Sequence, residues 1–241
     1  MLKATDITKI YSGVEGDNTV LDKLNFHGEK GQLCIITGPS GCGKSTLLNV
    51  LSSLDSATSG TIEINGKLVD QDHRTLCRVR RNDIGFIFQG YNLISTLTAA
   101  ENVELSLKYR RVPRAKRKTL ALEALEKVGL GHRVNYLPHQ LSGGQQQRVA
   151  IARAMVAKPA VLFCDEPTGN LDPDSAAMVM EQIVSLKNEG TLVVMITHDL
   201  SLLSLADRVL HLEGGKLTEK TTDQDVPHKN TLPAKWNCYG N

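Results

Sequence analysis

The sequence predicts an α/β fold: a mostly parallel sheet flanked by helices, with a small antiparallel β-subdomain near the N-terminus and an α-helical subdomain inserted midway. Three observations carry that expectation. Short β-branched runs alternate with helical stretches along most of the 241 residues. A glycine-rich loop, Gly38-Pro39-Ser40-Gly41-Cys42-Gly43, joins an apolar run to a helical one. Between Gly90 and Pro159 no segment has a convincing strand pattern.

Taken in order, Thr19–Phe26 and Leu33–Thr37 are the first expected strands. Lys44–Leu54 follows the glycine loop as a helix. Thr61–Ile64 ends in Asn65-Gly66, a two-residue hairpin signal that suggests the small antiparallel sheet. Ile84–Phe88 is the last strand before the helical block, in which helices are expected over Thr98–Tyr109, Arg114–Val128 and Gly144–Ala157. Strands return at Ala160–Asp165, Thr191–Thr197 and Arg208–Glu213, with helices at Pro173–Asn188 and Leu200–Ala206 between them. One domain is therefore expected over residues 1–218, with the helical subdomain spanning about 90–159. Residues 219–241 are polar, carry Pro227 and Pro233, and read as a loosely held tail.

Bulk properties exclude several classes. A net charge of +2 is too small to imply a polyanionic partner by itself. No stretch approaches the ~18 apolar residues of a membrane-spanning helix. The longest apolar runs, Val161–Cys164 and Leu192–Ile196, have the length of buried strands. Lys3, Asp6 and Lys9 interrupt residues 1–10, so the start lacks the core of a secretion signal, and a cytoplasmic location is expected. Five cysteines (Cys34, Cys42, Cys77, Cys164, Cys238) follow no metal spacing, and their odd number argues against a disulfide framework. Cys42 stands apart, because a bulky adduct inside the glycine loop would crowd whatever the loop holds.

Strand, glycine loop and helix over Leu33–Leu54 form the context of a phosphate-binding loop, spelled Gly-x-x-x-x-Gly-Lys-Ser. Gly38, Gly41 and Gly43 let the backbone turn its amides inward, and the following helix adds its positive end. Lys44 can set its ammonium against the β- and γ-phosphates, and the Ser45 hydroxyl can ligate Mg2+. Val161–Glu166 ends a buried strand in two acids, and ligands of open α/β sheets gather at such strand ends. Asp165 suits the metal, directly or through water; Glu166 is placed to polarise the water attacking the γ-phosphate. Gln89, after Ile84–Phe88, could reach the Mg2+ shell or that water, and His198, after Thr191–Thr197, a γ-phosphate oxygen. Each alone would read as a solvated loop residue; their place at core strand ends lifts them above that.

These residues together resemble the ATP-binding cassette (ABC) ATPases, whose P-loop (RecA-like) core carries the same motifs in order over about residues 2–218. Gly38–Thr46, including Pro39, Ser40, Cys42 and Thr46, matches the Walker A loop, and Gln89 the Q-loop glutamine. Leu141-Ser142-Gly143-Gly144-Gln145 matches the signature motif that names the family. Val161–Glu166 matches Walker B, Asn170-Leu171-Asp172 the D-loop, and His198 the switch histidine; Tyr11 matches the aromatic that stacks on adenine. The resemblance implies ATP and Mg2+ as ligands and hydrolysis as the activity. It also implies a head-to-tail dimer with a second copy of the chain, in which Ser142 and Gly144 bind the γ-phosphate of the partner's ATP. The Ser-Gly-Gly turn opening a helix is itself an anion site, and within one chain it has no obvious occupant.

Longer strings, Tyr91–Val103, Gln146–Ala154 and Asp165–Asp172, look like the macrolide-exporter and lipoprotein-release ATPases (MacB/LolD type). That resemblance implies a transmembrane permease partner with a large extracytoplasmic region, and leaves room for a periplasmic or extracellular accessory protein. It also implies a peripheral location on the cytoplasmic face of the cell membrane. The chain continues only some 23 residues past the cassette, so the permease is expected on a separate polypeptide. The segment after Gln89 is expected to line the groove that receives it. Two rival readings are weighed beside it: a mechanical signalling role in cell-division or wall-hydrolase complexes, and a nucleic-acid role suggested by Arg110, Arg111, Arg114, Lys116, Arg117 and Lys118. Long coiled-coil insertions and a second cassette are both missing, so no nucleic acid is expected.

Overall fold

The computed structural model describes residues 1–14, 16–70 and 72–220. In chain order the elements are β1 (Leu2–Gly13), β2 (Gly16–Gly28), β3 (Leu33–Thr37), α1 (Lys44–Leu51), β4 (Ser59–Ile64), β5 (Lys67–Leu68), α2 (His73–Asn82) and β6 (Ile84–Ile87). Then come α3 (Ala99–Tyr109), α4 (Arg114–Lys127), α5 (Gly143–Met155), β7 (Val161–Asp165), α6 (Pro173–Asn188), β8 (Leu192–Ile196), β9 (Arg208–Glu213) and β10 (Lys216–Lys220). A six-stranded sheet runs β10-β9-β3-β8-β7-β6, and a four-stranded antiparallel sheet runs β2-β1-β4-β5. In the larger sheet only the β9–β10 hairpin is antiparallel.

Strand alternation sorts the core into two halves. Leu33, Ile35, Leu162, Cys164, Val193 and Met195 face a cluster built with α3, α4, α5 and α6. Their neighbours Cys34, Ile36, Val161, Phe163, Leu192 and Val194 face the opposite cluster, shared with α1 and the antiparallel sheet. The central strands β3, β7 and β8 are thus covered on both sides, and their carboxyl ends open where the glycine loop and the two acids sit.

Most expected elements are present, and the differences have physical causes. β1 is missing from the sequence reading because its alternation is broken: register shifts interrupt its pairing with β2 between Ala4 and Ile7 and again on either side of Lys9, and Asp6 takes a left-handed φ of 52°. α2 was also unexpected. It is arginine-rich and buries only Leu76 and Val79, so its apolar stripe is too thin to register; Asp72 caps it by accepting from the Arg74 and Thr75 amides. The expected helix Leu200–Ala206 is a 3-10 helix over Leu200–Leu205. α1 stops at Leu51, and Ser53 just beyond has a φ of 59°. Asn65 and Gly66 both have positive φ, 54° and 72°, as a type I′ hairpin between β4 and β5 requires. β10 carries regular pairing to Lys220, two residues past the expected end of the domain at 218. The rest of that tail, with Pro227, Pro233 and Cys238, lies outside the described residues.

Among the described residues no strand lies between β6 and β7. Asn102 locks this block at its start. Fully buried, its side chain accepts from the Ile94 amide at 2.8 Å and donates to the carbonyls of Ile94, Leu97 and Thr98 at 3.0–3.1 Å. Asn102→Ala strands these groups in a site water does not reach and should cost about 3 kcal/mol. A lowered urea midpoint with unchanged slope would show it; an unshifted midpoint would refute it.

Candidate nucleotide site

The glycine loop runs from the end of β3 into α1. Gly38 has a φ of 154°, and a Cβ there would stand 2.3 Å from the Leu212 carbonyl oxygen, so no other residue fits without moving β9. Lys44 is buried at 7% exposure and donates to the carbonyls of Gly38 and Pro39 at 2.9 and 2.8 Å. Two of the three ammonium donors are thereby tied to the loop itself. Burying this cation costs little only because the loop wraps it in carbonyl oxygens.

Asp165, at the end of β7, accepts a hydrogen bond from the Ser45 hydroxyl. Burial pushes its carboxyl above the ordinary range, and the adjacent Glu166 charge adds to the push; the Ser45 bond and Lys44 oppose it. A half-buried carboxylate on a serine hydroxyl is a hard oxygen pair of the kind Mg2+ uses with substrate phosphates. The residues therefore fit the metal, which would relieve the crowding of negative charge at Asp165. No cluster of three or more His, Cys, Asp or Glu suited to a metal occurs among the described residues, so any Mg2+ there would lean on phosphate oxygens.

Glu166 is the meeting point of the remaining strand-end residues. Its backbone sits at a φ of 46°, a left-handed conformation that costs a non-glycine residue about 1 kcal/mol. Its amide donates to Ile196 O at 3.0 Å and its carbonyl accepts from the Gly169 amide at 3.2 Å, which hold the turn. One carboxylate oxygen accepts from Gln89 Nε2 at 3.1 Å. The other lies 3.1 Å from His198 Nε2. Gln89, Glu166 and His198 thus form one row across the ends of β6, β7 and β8. Beside it is a cavity of about 310 Å3 lined by Glu166, Thr168, Leu171, Thr197, His198 and Asp199.

The remaining sequence-predicted residues lie elsewhere. Ser142 caps α5, accepting from the Gln145 amide at 3.3 Å, while Gln145 Oε1 accepts from the Ser142 amide at 3.0 Å. The reciprocal cap leaves the Gly143 and Gly144 amides, which have no acceptor inside the helix, as the donors of this helix start. A Cβ on Gly144 would stand 2.7 Å from Ser175 Oγ on α6, so the second glycine is also demanded by packing within the chain. Tyr11, on β1, is 43% exposed and donates to Asp55 Oδ2 at 2.9 Å. The Lys9 ammonium lies 4.8 Å from its ring centroid. Cys42 is a free, partly buried thiol in the loop, and Cys34 and Cys164 are buried. Burial raises the Cys34 thiol to about 11 and pushes Cys164 up as well, which makes both unreactive packing residues.

The basic cluster does not form one surface. Arg110 turns inward, donating to the carbonyls of Arg81 and Ala157, and Arg117 reaches Glu104 at 4.0 Å. Sequence reasoning assigned no role to Arg153 and Tyr91, which brace the turn after Gln89. The available signal was a lone arginine inside the apolar helical run Val149–Ala154.

A phosphate loop ending in a buried lysine, a serine-bonded aspartate and a strand-end glutamate together define a P-loop nucleoside triphosphatase. A family model described as ABC transporter matches residues 21–169, and the chain belongs to that family: it is an ABC transporter ATP-binding cassette, an ATPase. An uncharacterized ABC transporter ATP-binding protein of Methanocaldococcus jannaschii is 44% identical over 222 residues, 91% of this chain and 98% of that one. The macrolide export ATP-binding/permease protein MacB of Salmonella choleraesuis is 42% identical over 235 residues, 97% of this chain but 36% of its own length. Among solved structures, a dimeric post-hydrolysis state of the ATP-binding cassette MJ0796 bound to ADP and Pi aligns with a TM-score of 0.85 and 39% identity, covering 92% of this chain and 98% of that one. The matched family span includes the phosphate loop, Gln89, the signature turn and Glu166; His198 lies beyond it.

Proposed function

We propose that two copies of this cassette close head to tail on two ATP molecules, hydrolyse them and so drive a membrane permease of the MacB/LolD type. The single observation that carries the hydrolytic part is Glu166, held by Gln89 and His198 one residue beyond the serine-bonded Asp165. Lys44 and the loop amides bind the β- and γ-phosphates, and Ser45, Asp165 and Gln89 would hold Mg2+. The metal, when bound, supplies charge neutralisation at the phosphates. Glu166 accepts a proton from the attacking water, whose oxygen bonds to the γ-phosphorus as the bond to the β-phosphate oxygen breaks. His198 steadies that carboxylate and, through its ring nitrogen, a γ-phosphate oxygen. Tyr11 offers a ring face to adenine.

The dimer reading is supported by the two amides at the α5 start that have no acceptor inside the helix and by the dimeric state of the solved ADP-bound relative. Ser142 and Gly144 of each subunit would then complete the partner's site. Loss of the γ-phosphate removes the ligand gripped from both sides, and the subunits part.

Permease engagement is supported by the relatedness to MacB and by a cavity of about 560 Å3 between α2, β6, α3 and α5. Its floor is apolar (Ile84, Phe86, Ala154), and Arg80, Arg81, Arg110 and Arg153 surround it. Arg80, Arg110 and Arg153 donate to backbone carbonyls of the chain itself, which leaves the exposed Arg81 as the charge offered at the rim. A cytoplasmic permease helix with an apolar face and an acidic residue set against Arg81 matches this surface. Location at the cytoplasmic membrane face follows from that engagement; among the described residues no helix is long and apolar enough to cross a membrane. The experiment is recovery of the cassette with washed membranes. Arg81→Glu should move it to the soluble fraction while the free cassette's ATP turnover stays within about twofold, since the exposed site is remote in mechanism from the phosphates. Unchanged membrane recovery would remove this cavity from the permease interface.

A further inference from the structure

Arg153 is the most unusual side chain of the helical block. It projects from the buried run of α5, and burial depresses its guanidinium, with no carboxylate among the described residues acting on it. Its two terminal nitrogens go to backbone instead: Nη1 donates to Asn92 O at 2.5 Å and Nη2 to Tyr91 O at 2.8 Å. Both accepting residues stand in the left-handed region, with φ of 59° at Tyr91 and 48° at Asn92. Two successive non-glycine residues in that region persist only where the surroundings hold them. The same turn begins two residues earlier with Gln89, whose amide donates to Glu166. It also sends the Tyr91 hydroxyl to within 2.8 Å of where a Cβ on Gly143 would stand.

From this we infer that Arg153 is a positioning residue for ATP hydrolysis: its fork holds the Tyr91–Asn92 turn and thereby sets Gln89 on Glu166. The turn is also seated against the start of α5, so one guanidinium ties the row at the strand ends to the helix bearing Ser142. A planar fork suits two adjacent carbonyls; a lysine, as a single point charge, cannot span both with the same geometry. The Arg153 fork is spent on backbone carbonyls, and its effect passes through Gln89. The inference rests on the proposed roles of Gln89 and Glu166 and extends them to a residue outside the site.

The test is a double-mutant cycle on the full chain, with ATP turnover and ATP affinity measured separately. Arg153→Lys should lower kcat about tenfold and leave the dissociation constant for a fluorescent ATP analogue within about twofold. In the Gln89→Ala background the same change should have no further effect on kcat. Amide exchange over residues 89–94 should rise in Arg153→Lys while the rest of α5 stays protected. That last measurement needs no turnover, so it reads the brace even if Gln89 proves dispensable for hydrolysis. Multiplying losses in the double variant, equal losses in kcat and affinity, or unchanged exchange at 89–94 would each overturn the inference. Should Arg153→Lys fold poorly, Arg153→Gln, whose single amide nitrogen can reach only one of the two carbonyls, provides the same cycle and the same exchange readout.

Discussion

Glu166→Gln is expected to cut ATP turnover by on the order of 10²–10³-fold, the usual worth of a positioned general base. The amide keeps the size of the side chain and can still accept from Gln89 Nε2, so the row with His198 is disturbed little. What it loses is the capacity to take a proton from water. ATP binding should survive, because Lys44 and the loop amides belong to a separate segment. With binding intact and the γ-phosphate retained, a dimer should accumulate in ATP and Mg2+ and be visible as a doubled mass by light scattering. Turnover within a fewfold of the unsubstituted protein would assign proton transfer to another group.

The second large effect comes from mixing two defective subunits. Lys44→Ala removes a charged donor from the phosphates and should weaken ATP by about 1.5–3 kcal/mol, roughly ten- to hundredfold. Ser142→Arg leaves the phosphate loop alone but breaks the cap of α5 and places a bulky side chain on the turn offered to the partner. Neither variant alone should associate in ATP. A mixed pair retains one intact composite site, Lys44 from one subunit facing Ser142 from the other, and association should return in part. A mixture as inert as its components would mean that the signature turn does not complete a neighbour's site. Gly144 makes the experiment discriminating. Its lack of a side chain is already explained by Ser175 of the same chain, so the glycine by itself argues for no partner.

The segments of the candidate site were legible because each is local. A phosphate loop needs its glycines, lysine and serine within nine residues, and Val161–Glu166 shows its burial and its acids in one run. The central strands β3, β7 and β8 were readable for the same reason, being short, apolar and bounded. Failures fell where a neighbour overrides the local pattern. β1 loses its alternation to bulges imposed by pairing with β2 and β4. α2 hides its helix behind arginines, because it covers the core with two residues only.

By its sequence alone this chain is an α/β phosphate-loop protein of the cassette type, with its loop lysine and its strand-end acids Asp165 and Glu166 in plain view. Only the tertiary structure decided that Glu166 is shared between Gln89 and His198, residues 77 and 32 positions away along the chain. Only it showed that Arg153 holds a turn some 61 residues earlier, and that Arg110 faces inward rather than joining a basic surface. The reason is physical. A backbone motif carries its own geometry in consecutive residues, whereas hydrogen bonds between strand ends depend on the order in which the sheet stacks its strands, and that order is set by packing over the whole core.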